Sequence, residues 1–338
     1  MSGAYHLYLE ERNKPIEERY IQSFINTPDE GTLIFTCVPA LLKLIHEVTS
    51  FECDVTFKRV QVLNKWEMVI YFPPVERGEP LSHFLSTLAQ TSLAITIARV
   101  YINKADADTY TRLFDELQEL MLRLTGKALQ FKRLSPDGNL LCMNADMEAA
   151  QILGAGRSFM KTNDTPYSKI DVRTPEELLP FFVRVCLTHS KRYASTIAIH
   201  TDSHDYIHQL NGSGVLDFKS LVTAFDYRRI LDFPYMKSQA ELEHFTLFVT
   251  SLGIKKIQGM FYLSIWYPSA MQDYWLLDWW NHKIKSAWII PCILQSQSKI
   301  LPKDWSMTPA ITNVGESQHH WTNSLTGTGL SLLEGIQT

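Results

Sequence analysis

A strict alternation of apolar and polar residues begins at Phe51, and it constrains the fold of this 338-residue chain more than any other feature. The apolar set is Phe51, Cys53, Val55 and Phe57, and the polar set is Glu52, Asp54, Thr56 and Lys58. A period of two predicts a half-buried strand, here with Asp54 on its polar face. Runs rich in valine, isoleucine and aromatic residues over 66–72 and 93–102 predict two further strands. The first two strands are close enough in sequence to pair antiparallel, and the third is expected to extend the sheet.

A helix and another strand are predicted to follow. Residues 106–125 place leucines on one helical stripe and end at Gly126, which predicts a helix that packs on the sheet. A short apolar run over 140–143 then leads into a helical pattern over 147–156. Asp146 therefore falls at a strand-to-helix junction, where an aspartate is commonly only a helix N-cap.

The patterning divides the chain into four parts. Residues 1–47 are predicted to be a helical lead-in, because residues 18–27 have helical apolar spacing. Residues 48–172 alternate between strand and helix patterns and form a sheet-containing core. Helical patterns dominate 173–305, which predicts a mainly helical insertion, and residues 306–338 return to the core as its last helix. The predicted fold class is α/β, with a mixed sheet, flanking helices and a large insertion.

Composition and charge exclude several classes of protein. The 32 basic and 36 acidic residues give a formal net charge of −4, so contact with a polyanion such as DNA must depend on a local patch. Five scattered cysteines imply no disulfide framework. The N-terminus carries charges where a signal peptide needs an apolar run, and no window suits a membrane span. We therefore expect an intracellular protein, nuclear or cytoplasmic, that is neither secreted nor embedded in a membrane.

One late stretch, residues 308–336, sets a carboxylate among other polar groups at helical spacing. At 100° per residue, the side chains that fall within about 100° of one another are Glu316, His319, His320 and Asn323. The pattern predicts a helix that aims these groups from one face, with the two histidines and the asparagine as candidates to support the acid. The alternative is that Glu316 completes a capping box three residues after Asn313.

Three acids thus occupy different predicted elements: Asp54 on a strand, Asp146 at a strand end and Glu316 on a helix. Such a trio suits two-metal phosphoryl chemistry. Hard divalent cations prefer oxygen ligands, and carboxylates from different elements bridge two ions about 4 Å apart. In the competing interpretation, an unrelated α/β protein uses each of these acids as a cap. The two interpretations differ in whether the carboxylates converge at one end of the sheet.

Three blocks of sequence around these acids resemble the acidic blocks of Mutator-like (MULE) transposase domains of the divergent fungal type. They are FECDVTFKRV at 51–60, LLCMNADMEAAQILGAG at 140–156 and TNVGESQHHWTN at 312–323. The resemblance implies a DDE-type catalytic core of RNase H-like fold, interrupted by a helical insertion before the last acid. It assigns Asp54, Asp146 and Glu316 as the catalytic, metal-binding residues.

The activity implied by this resemblance is metal-dependent cleavage of DNA strands followed by strand transfer. Its cofactors would be two Mg²⁺ or Mn²⁺ ions, and its partners the DNA of the element ends and of the target, bound by a monomer or a homo-oligomer. The chain is mildly acidic and carries no evident DNA-binding module before residue 50, so it resembles an incomplete transposase. The alternative is a transposase-derived protein or element relic that no longer cuts and only binds DNA or protein.

Cys186 and His189 resemble the C-x-x-H signature of such insertions. A structural zinc site would need two more ligands, and the histidine-rich residues 200–208 fit a polar loop equally well, so zinc is not expected. Cys186 is instead predicted to pack in a helix, with His189 hydrogen-bonded near the active site.

Aromatic and basic residues provide further candidate contacts to nucleic acid. They are Trp275, Trp279, Trp280 and Trp288, predicted to lie in one helix, and Lys58, Arg59 and Lys65 around the strand of Asp54. Core packing is favoured for the tryptophans over stacking on bases. The basic residues suit either a phosphate contact or an ordinary solvated position.

Overall fold

The computed structural model describes residues 2–29, 31–56, 59–72, 93–187, 223–260, 275–310 and 323–337. Within these ranges the chain is a mixed α/β protein whose seven-stranded sheet is flanked by helices. The strands are β1 (Ile21–Thr27), β2 (Gly31–Thr36), β3 (Ser50–Thr56), β4 (Asn64–Phe72), β5 (Leu93–Ile102), β6 (Cys142–Ala145) and β7 (Val183–Val185). Their order in the sheet is β1-β2-β5-β4-β3-β6-β7. The prediction of a mixed sheet with flanking helices is therefore confirmed.

Helices fill connections between strands and most of the described chain after β7. They are α1 (Ser2–Glu11), α2 (Pro39–Leu42), α3 (Ala107–Thr125), α4 (Ala149–Lys161), α5 (Thr165–Ser168), α6 (Pro175–Leu178), α7 (Ala224–Leu231), α8 (Gln239–Met260), α9 (Trp275–Lys285), α10 (Ile289–Ile293), α11 (Pro302–Met307) and α12 (Leu332–Gln337). Turns of 3₁₀ helix lie at Ile16–Glu18, Lys43–Glu47, Leu179–Phe181 and Phe233–Tyr235. None of the helices in the described ranges combines the length and apolar character needed to cross a membrane.

The sheet joins an antiparallel part to a parallel part. The strands β3, β4 and β5 pair antiparallel in succession, as the sequence predicted, and β2 and β1 extend this part beyond β5. On the other side of β3, the strand β6 pairs parallel with β3, and β7 pairs parallel with β6. A parallel neighbour requires a long crossover connection, which here contains α3 before β6 and α4 before β7.

The helix α3 covers one face of the sheet. Its stripe residues Leu113 and Leu117 are fully buried in the main core. Asp106 caps the helix by accepting a hydrogen bond of 2.7 Å from the backbone N–H of Thr109. Gly126 ends the helix with a φ of +77°, a conformation that glycine adopts without strain. The helix predicted over 106–125 is confirmed.

The opposite face of the sheet is covered by α1 and α12. A second apolar cluster joins Ala4 of α1 to Leu332 and Ile336 of α12 around Tyr101 of β5. The Tyr101 hydroxyl donates a hydrogen bond of 2.6 Å to the carbonyl oxygen of Gly335. The last described helix is therefore held directly against the sheet.

The helical prediction for residues 1–47 is wrong over much of its length. Among the described residues of this range, only α1, α2 and two 3₁₀ turns are helical, and β1 occupies residues 21–27 of the segment 18–27. Its apolar spacing suits a helix, but pairing with β2 supplies a full ladder of backbone hydrogen bonds and buries Ile21. Tertiary pairing overrides a local pattern of this kind.

The range 173–305, predicted to be a mainly helical insertion, contains one strand near its start. The strand β7 lies inside this range and completes the sheet. It consists of Val183, Arg184 and Val185, and three residues are too few for their alternation to distinguish a strand from a helix. The helices α7 to α10 agree with the helical prediction for the described remainder of the range.

Three of the four tryptophans belong to the core, as favoured from the sequence. Trp279, Trp280 and Trp288 are at most 5% exposed. Trp279 and Trp280 form an aromatic cluster with Phe233 and Phe245, with ring centroids 4.9–6.1 Å apart. The side chain of Trp275 lies outside the described part of α9, and Trp288 precedes α10 rather than sharing a helix with the others.

Replacing Gly154 by alanine should destabilise the protein. A Cβ at this position of α4 would lie 2.4 Å from the Cβ of Tyr110 and 2.8 Å from the backbone nitrogen of Thr111, so α3 and α4 would have to separate. We expect the free energy of unfolding to fall by about 2 kcal/mol in urea denaturation. Gly156→Ala is the matched control on the same helix, because its Cβ would approach no atom closer than 3.0 Å. Equal losses in the two variants would contradict the close approach of the helices.

Candidate functional site

The first two predicted acids lie side by side at one edge of the sheet. The parallel pairing of β3 with β6 ends with Cys53 opposite Ala145. The next residues along the two chains are Asp54 and Asp146. Neighbouring strands are about 5 Å apart, so the two acids occupy adjacent positions at the carboxyl edge of the parallel strands. Strand order thus brings together residues that are 146 − 54 = 92 positions apart in the sequence.

The two carboxylates are half-buried and share an electrostatic environment. Asp54 Oδ1 accepts a hydrogen bond of 2.7 Å from the backbone N–H of Val55. Burial raises the pKa of the Cys53 thiol well above its ordinary value, and the negative charges of Asp146 and then Asp54 raise it further. Both charges therefore act on the same buried thiol, which stays neutral and unsuited to nucleophilic attack.

Neither of these acids caps a helix. Asp54 lies within β3. The N-cap of α4 is Glu148, two residues after Asp146, and its side chain makes no capping hydrogen bond. The interpretation of these two acids as caps is therefore wrong. Glu316, which it also covered, lies outside the described residues.

A further carboxylate, Glu148, lies close to the pair. Burial raises the pKa of Tyr110 on α3, and the charges of Glu148 and then Asp146 are the next largest causes. Tyr110 is fully buried beneath this edge of the sheet. Sequence reasoning treated Asp146-Met147-Glu148 only as part of a motif and missed Glu148 as a separate candidate. The acid-x-acid spacing at a strand end is the signal that points to it.

The third predicted acid, Glu316, belongs to residues 311–322, which lie outside the described ranges, as do His319 and His320. The described residues on both sides of this stretch are anchored. The carbonyl oxygen of Ala310 accepts a hydrogen bond of 3.0 Å from the backbone N–H of Leu187, two residues after β7. Asn323 Oδ1 lies 3.4 Å from Arg59 Nη1, three residues after β3. Both attachments are at the carboxyl ends of parallel strands, the edge that Asp54 and Asp146 occupy.

Arg184 on β7 anchors the chain just before residue 311. Its Nη1 donates to the carbonyl oxygens of Trp305 and Thr308 at 2.9 and 2.6 Å, and to Thr308 Oγ1 at 2.9 Å. Its guanidinium lies 4.4 Å from the centroid of the Trp305 ring. The side chain is 7% exposed, and burial lowers its pKa. A buried cation thus fixes the path of residues 305–308 against the sheet.

Arg59 anchors the chain just after residue 322. Its Nη1 donates a hydrogen bond of 2.6 Å to Thr326 Oγ1, in addition to its contact with Asn323. Backbone hydrogen bonds join Leu330 to Arg59 at 2.9 Å and to Gln61 at 2.8 Å. The chain that follows the third acid is therefore fastened to the chain that follows the first. The contact with Arg59 positions the Asn323 side chain. That Asn323 supports Glu316 as a metal ligand stays a prediction.

The basic residues near Asp54 were predicted to contact phosphate or to be solvated, and both predictions are wrong for Arg59 and Lys65. Arg59 and Lys65 are fully buried, so they are neither solvated nor placed to meet DNA. Lys65 Nζ lies 3.0 Å from Glu67 Oε1, and Arg99 Nε lies 2.8 Å from the same oxygen. Burial, opposed in part by Glu67, lowers the pKa of Lys65 to about 8. Lys58 lies outside the described residues.

Cys186 directly follows β7 and is not in a helix, contrary to the prediction. It is 2% exposed, and its backbone N–H donates a hydrogen bond of 2.9 Å to the carbonyl oxygen of Ala145. The C-x-x-H stretch therefore starts one strand away from Asp146, while His189 itself lies outside the described residues. All five cysteines are buried, and no disulfide joins any of them. Within the described ranges, which omit Glu316 and residues 188–222, no three His, Cys, Asp or Glu side chains are grouped as metal ligands.

Lys283 on α9 is a buried amine beside the loop that carries Asp146, and sequence reasoning missed it. The side chain is 1% exposed. Its Nζ lies 3.7 Å from Met147 Sδ and 5.1 Å from the centroid of the Trp279 ring. Burial lowers its pKa to about 7. Lys283 follows Trp279 and Trp280 by four and three residues, the spacing of one helical face, and this is the signal that could have indicated its burial.

Comparison with known proteins provides no relative for this arrangement. No family model matches the chain, and neither the curated proteins nor the solved structures include a match. The functional interpretation therefore depends on the geometry of the acids and on the motifs that surround them.

Lys283→Met should stabilise the protein and change how stability depends on pH. The pKa of Lys283 is about 7 in the folded state and 10.5 in the unfolded chain. Between these two pH values the unfolded state therefore binds more protons than the folded state. Wild-type stability should therefore rise with pH across this window. At pH 7 the variant should gain on the order of 3 kcal/mol in urea denaturation and should lose the rise with pH. Lys285→Met, exposed on the same helix, is the control; a variant at position 283 that keeps the wild-type pH dependence would contradict the burial of a titrating amine.

Proposed function

We propose that this chain is the catalytic core of a DDE-type transposase, a metal-dependent polynucleotidyl transferase that cleaves DNA strands and joins them to a target. The observation that carries the proposal is the adjacency of Asp54 and Asp146 at the ends of two parallel strands. The chain that contains Glu316 is anchored on both sides at the same edge. The motifs that resemble Mutator-like transposases surround the same three acids.

The strand order supports an RNase H-like core. Such a core has three antiparallel strands followed by two parallel strands on the side of the first. The order β5-β4-β3-β6-β7 has this form, with the first acid on the central strand β3 and the second at the end of its parallel neighbour. The strands β1 and β2 are then an addition at the far edge.

The residues at this edge fit Mg²⁺ or Mn²⁺. The described donors are the adjacent, partly exposed carboxylates of Asp54 and Asp146, and hard divalent cations prefer such oxygen ligands. Two such cations, when bound, supply activation of the attacking water or 3′-hydroxyl and stabilisation of the leaving oxygen. The chain itself contributes the carboxylates, and the Val55 amide orients that of Asp54 by donating a hydrogen bond to it. In this proposal Glu316 completes the ligand set.

Replacement of the acids should abolish strand cleavage. We expect Asp54→Asn, Asp146→Asn and Glu316→Gln each to lower metal-dependent nicking of plasmid DNA at least about 100-fold, since loss of cation stabilisation is worth several kcal/mol. The measurement is the nicking rate with Mg²⁺ or Mn²⁺, and the unfolding curve of each variant verifies its fold. Asp171→Asn is the matched control, because Asp171 is exposed and far along the chain from the acid edge.

Full nicking activity in Asp54→Asn would refute the assignment of that carboxylate. A wild-type chain that binds DNA but nicks it with neither metal would instead favour the alternative, a transposase-derived binding protein without catalysis. These outcomes are distinguishable because binding and nicking are measured on the same DNA.

A further inference from the structure

A groove opens beside the carboxyl end of β7, between the sheet and the helices that follow it. Its volume is about 620 Å³, and its lining includes Arg184, Leu187, Tyr235, Lys237, Trp305 and Ala310. Leu187 and Ala310 are the two residues joined by the backbone hydrogen bond at the entrance to residues 311–322. The groove therefore includes Ala310, the last described residue before the segment 311–322 that contains Glu316.

The lining of the groove is positive in an otherwise acidic chain. Among the described residues that form it, Arg184 and Lys237 are basic, and no aspartate or glutamate is present. The chain as a whole has 36 acidic and 32 basic residues, so its average surface would not attract a polyanion. A local patch of this kind is what such a chain needs to hold a phosphodiester.

Arg184 is a buried cation in the lining of the groove. It is 7% exposed, and no carboxylate within the described ranges forms an ion pair with it. Its Nη1 is used by Trp305 and Thr308, whereas its buried Nε has no hydrogen-bond partner among the described residues. Burying a guanidinium without an opposite charge is unfavourable, and an anion in the groove would relieve that cost.

Tyr235 and Lys237 at the mouth complete a platform for an unpaired base. Tyr235 is 56% exposed although it is a large aromatic side chain, and Lys237 two residues later is also exposed. An exposed ring beside a cation suits single-stranded nucleic acid, in which bases stack on aromatic faces while the backbone follows positive charge. Polar groups of Gln295 and Ser296 continue the lining.

The groove is one strand away from the acid pair. Cys186, just before Leu187, donates its backbone N–H to the carbonyl of Ala145, the residue before Asp146. Adjacent strands are separated by about 5 Å, so a strand of DNA that leaves the acids toward β7 enters the groove at once.

We infer that this groove binds single-stranded DNA next to the cleavage site, with a phosphodiester near Arg184 and Lys237 and a base on Tyr235. The inference rests on the proposed function only where it treats the bound strand as substrate. Binding itself needs no metal and no cleavage, which makes the two separable by experiment.

The test is fluorescence anisotropy of a labelled single-stranded oligodeoxythymidylate with the full chain in EDTA. Tyr235→Ala should weaken binding by a factor between about 5 and about 150, the range expected for loss of one stacked base. Lys237→Gln should reduce the slope of log affinity against log salt concentration by about 0.7, the value for one phosphate contact on a single strand. Tyr167→Ala and Lys43→Gln, which change exposed residues elsewhere, are the matched controls and should leave affinity and slope unchanged.

Wild-type affinity in Tyr235→Ala and Lys237→Gln, or equal losses in the controls, would overturn the inference. Displacement of the oligonucleotide by inorganic phosphate at an equal concentration would also overturn it, since the site would then recognise a free anion rather than a strand. If the wild type binds the oligonucleotide through the groove but nicks no DNA, the proposed function is refuted, whereas the inference that the groove binds single-stranded DNA is supported. If the wild type nicks DNA and the groove variants bind normally, the inference about the groove is refuted and the proposed function is not.

Discussion

The parallel pairing of β3 with β6 is the contact on which the candidate site depends. Parallel strands end at the same edge of a sheet, so the residues after Cys53 and Ala145 meet without any special loop. The pairing needs a long crossover, which the chain supplies as β4, β5 and α3. Beneath this edge the core is closed, with Cys53 and Tyr110 both buried. Negative charge gathered at the edge is therefore best neutralised from the solvent side, where cations have access.

Two buried arginines hold the chain on either side of residues 311–322. Arg184 donates to oxygens just before this stretch, and Arg59 to side-chain oxygens just after it. Burial lowers the pKa of both guanidinium groups, and their hydrogen bonds offset part of the lost hydration. An arginine suits this role because its rigid fork of N–H donors holds several oxygens at fixed angles. Geometry, more than opposite charge, thus sets the path of the chain near the acids.

The helices after β7 are coupled to the same edge through packing. Trp279 belongs to an aromatic cluster with Phe233, and Lys283 on the same helix reaches Met147, the residue after Asp146. A change in how these helices pack therefore acts on the loop that carries the second acid. The boundary between these helices and the sheet also forms the groove, since Tyr235 of the helical part and Arg184 of β7 both line it.

Local periodicity determined the antiparallel strands β3 to β5, the helix α3 with its cap and terminator, the polar face of Asp54 and the junction at Asp146. These features depend on neighbours within a few residues, which a sequence displays directly. Tertiary structure alone decided that residues 21–27 and 183–185 join the sheet, that Arg59, Lys65 and Lys283 are buried, and that the two acids are adjacent. Strand partners and burial depend on segments far apart in the chain, and a short apolar run is compatible with either a strand or a helix until its partner is known.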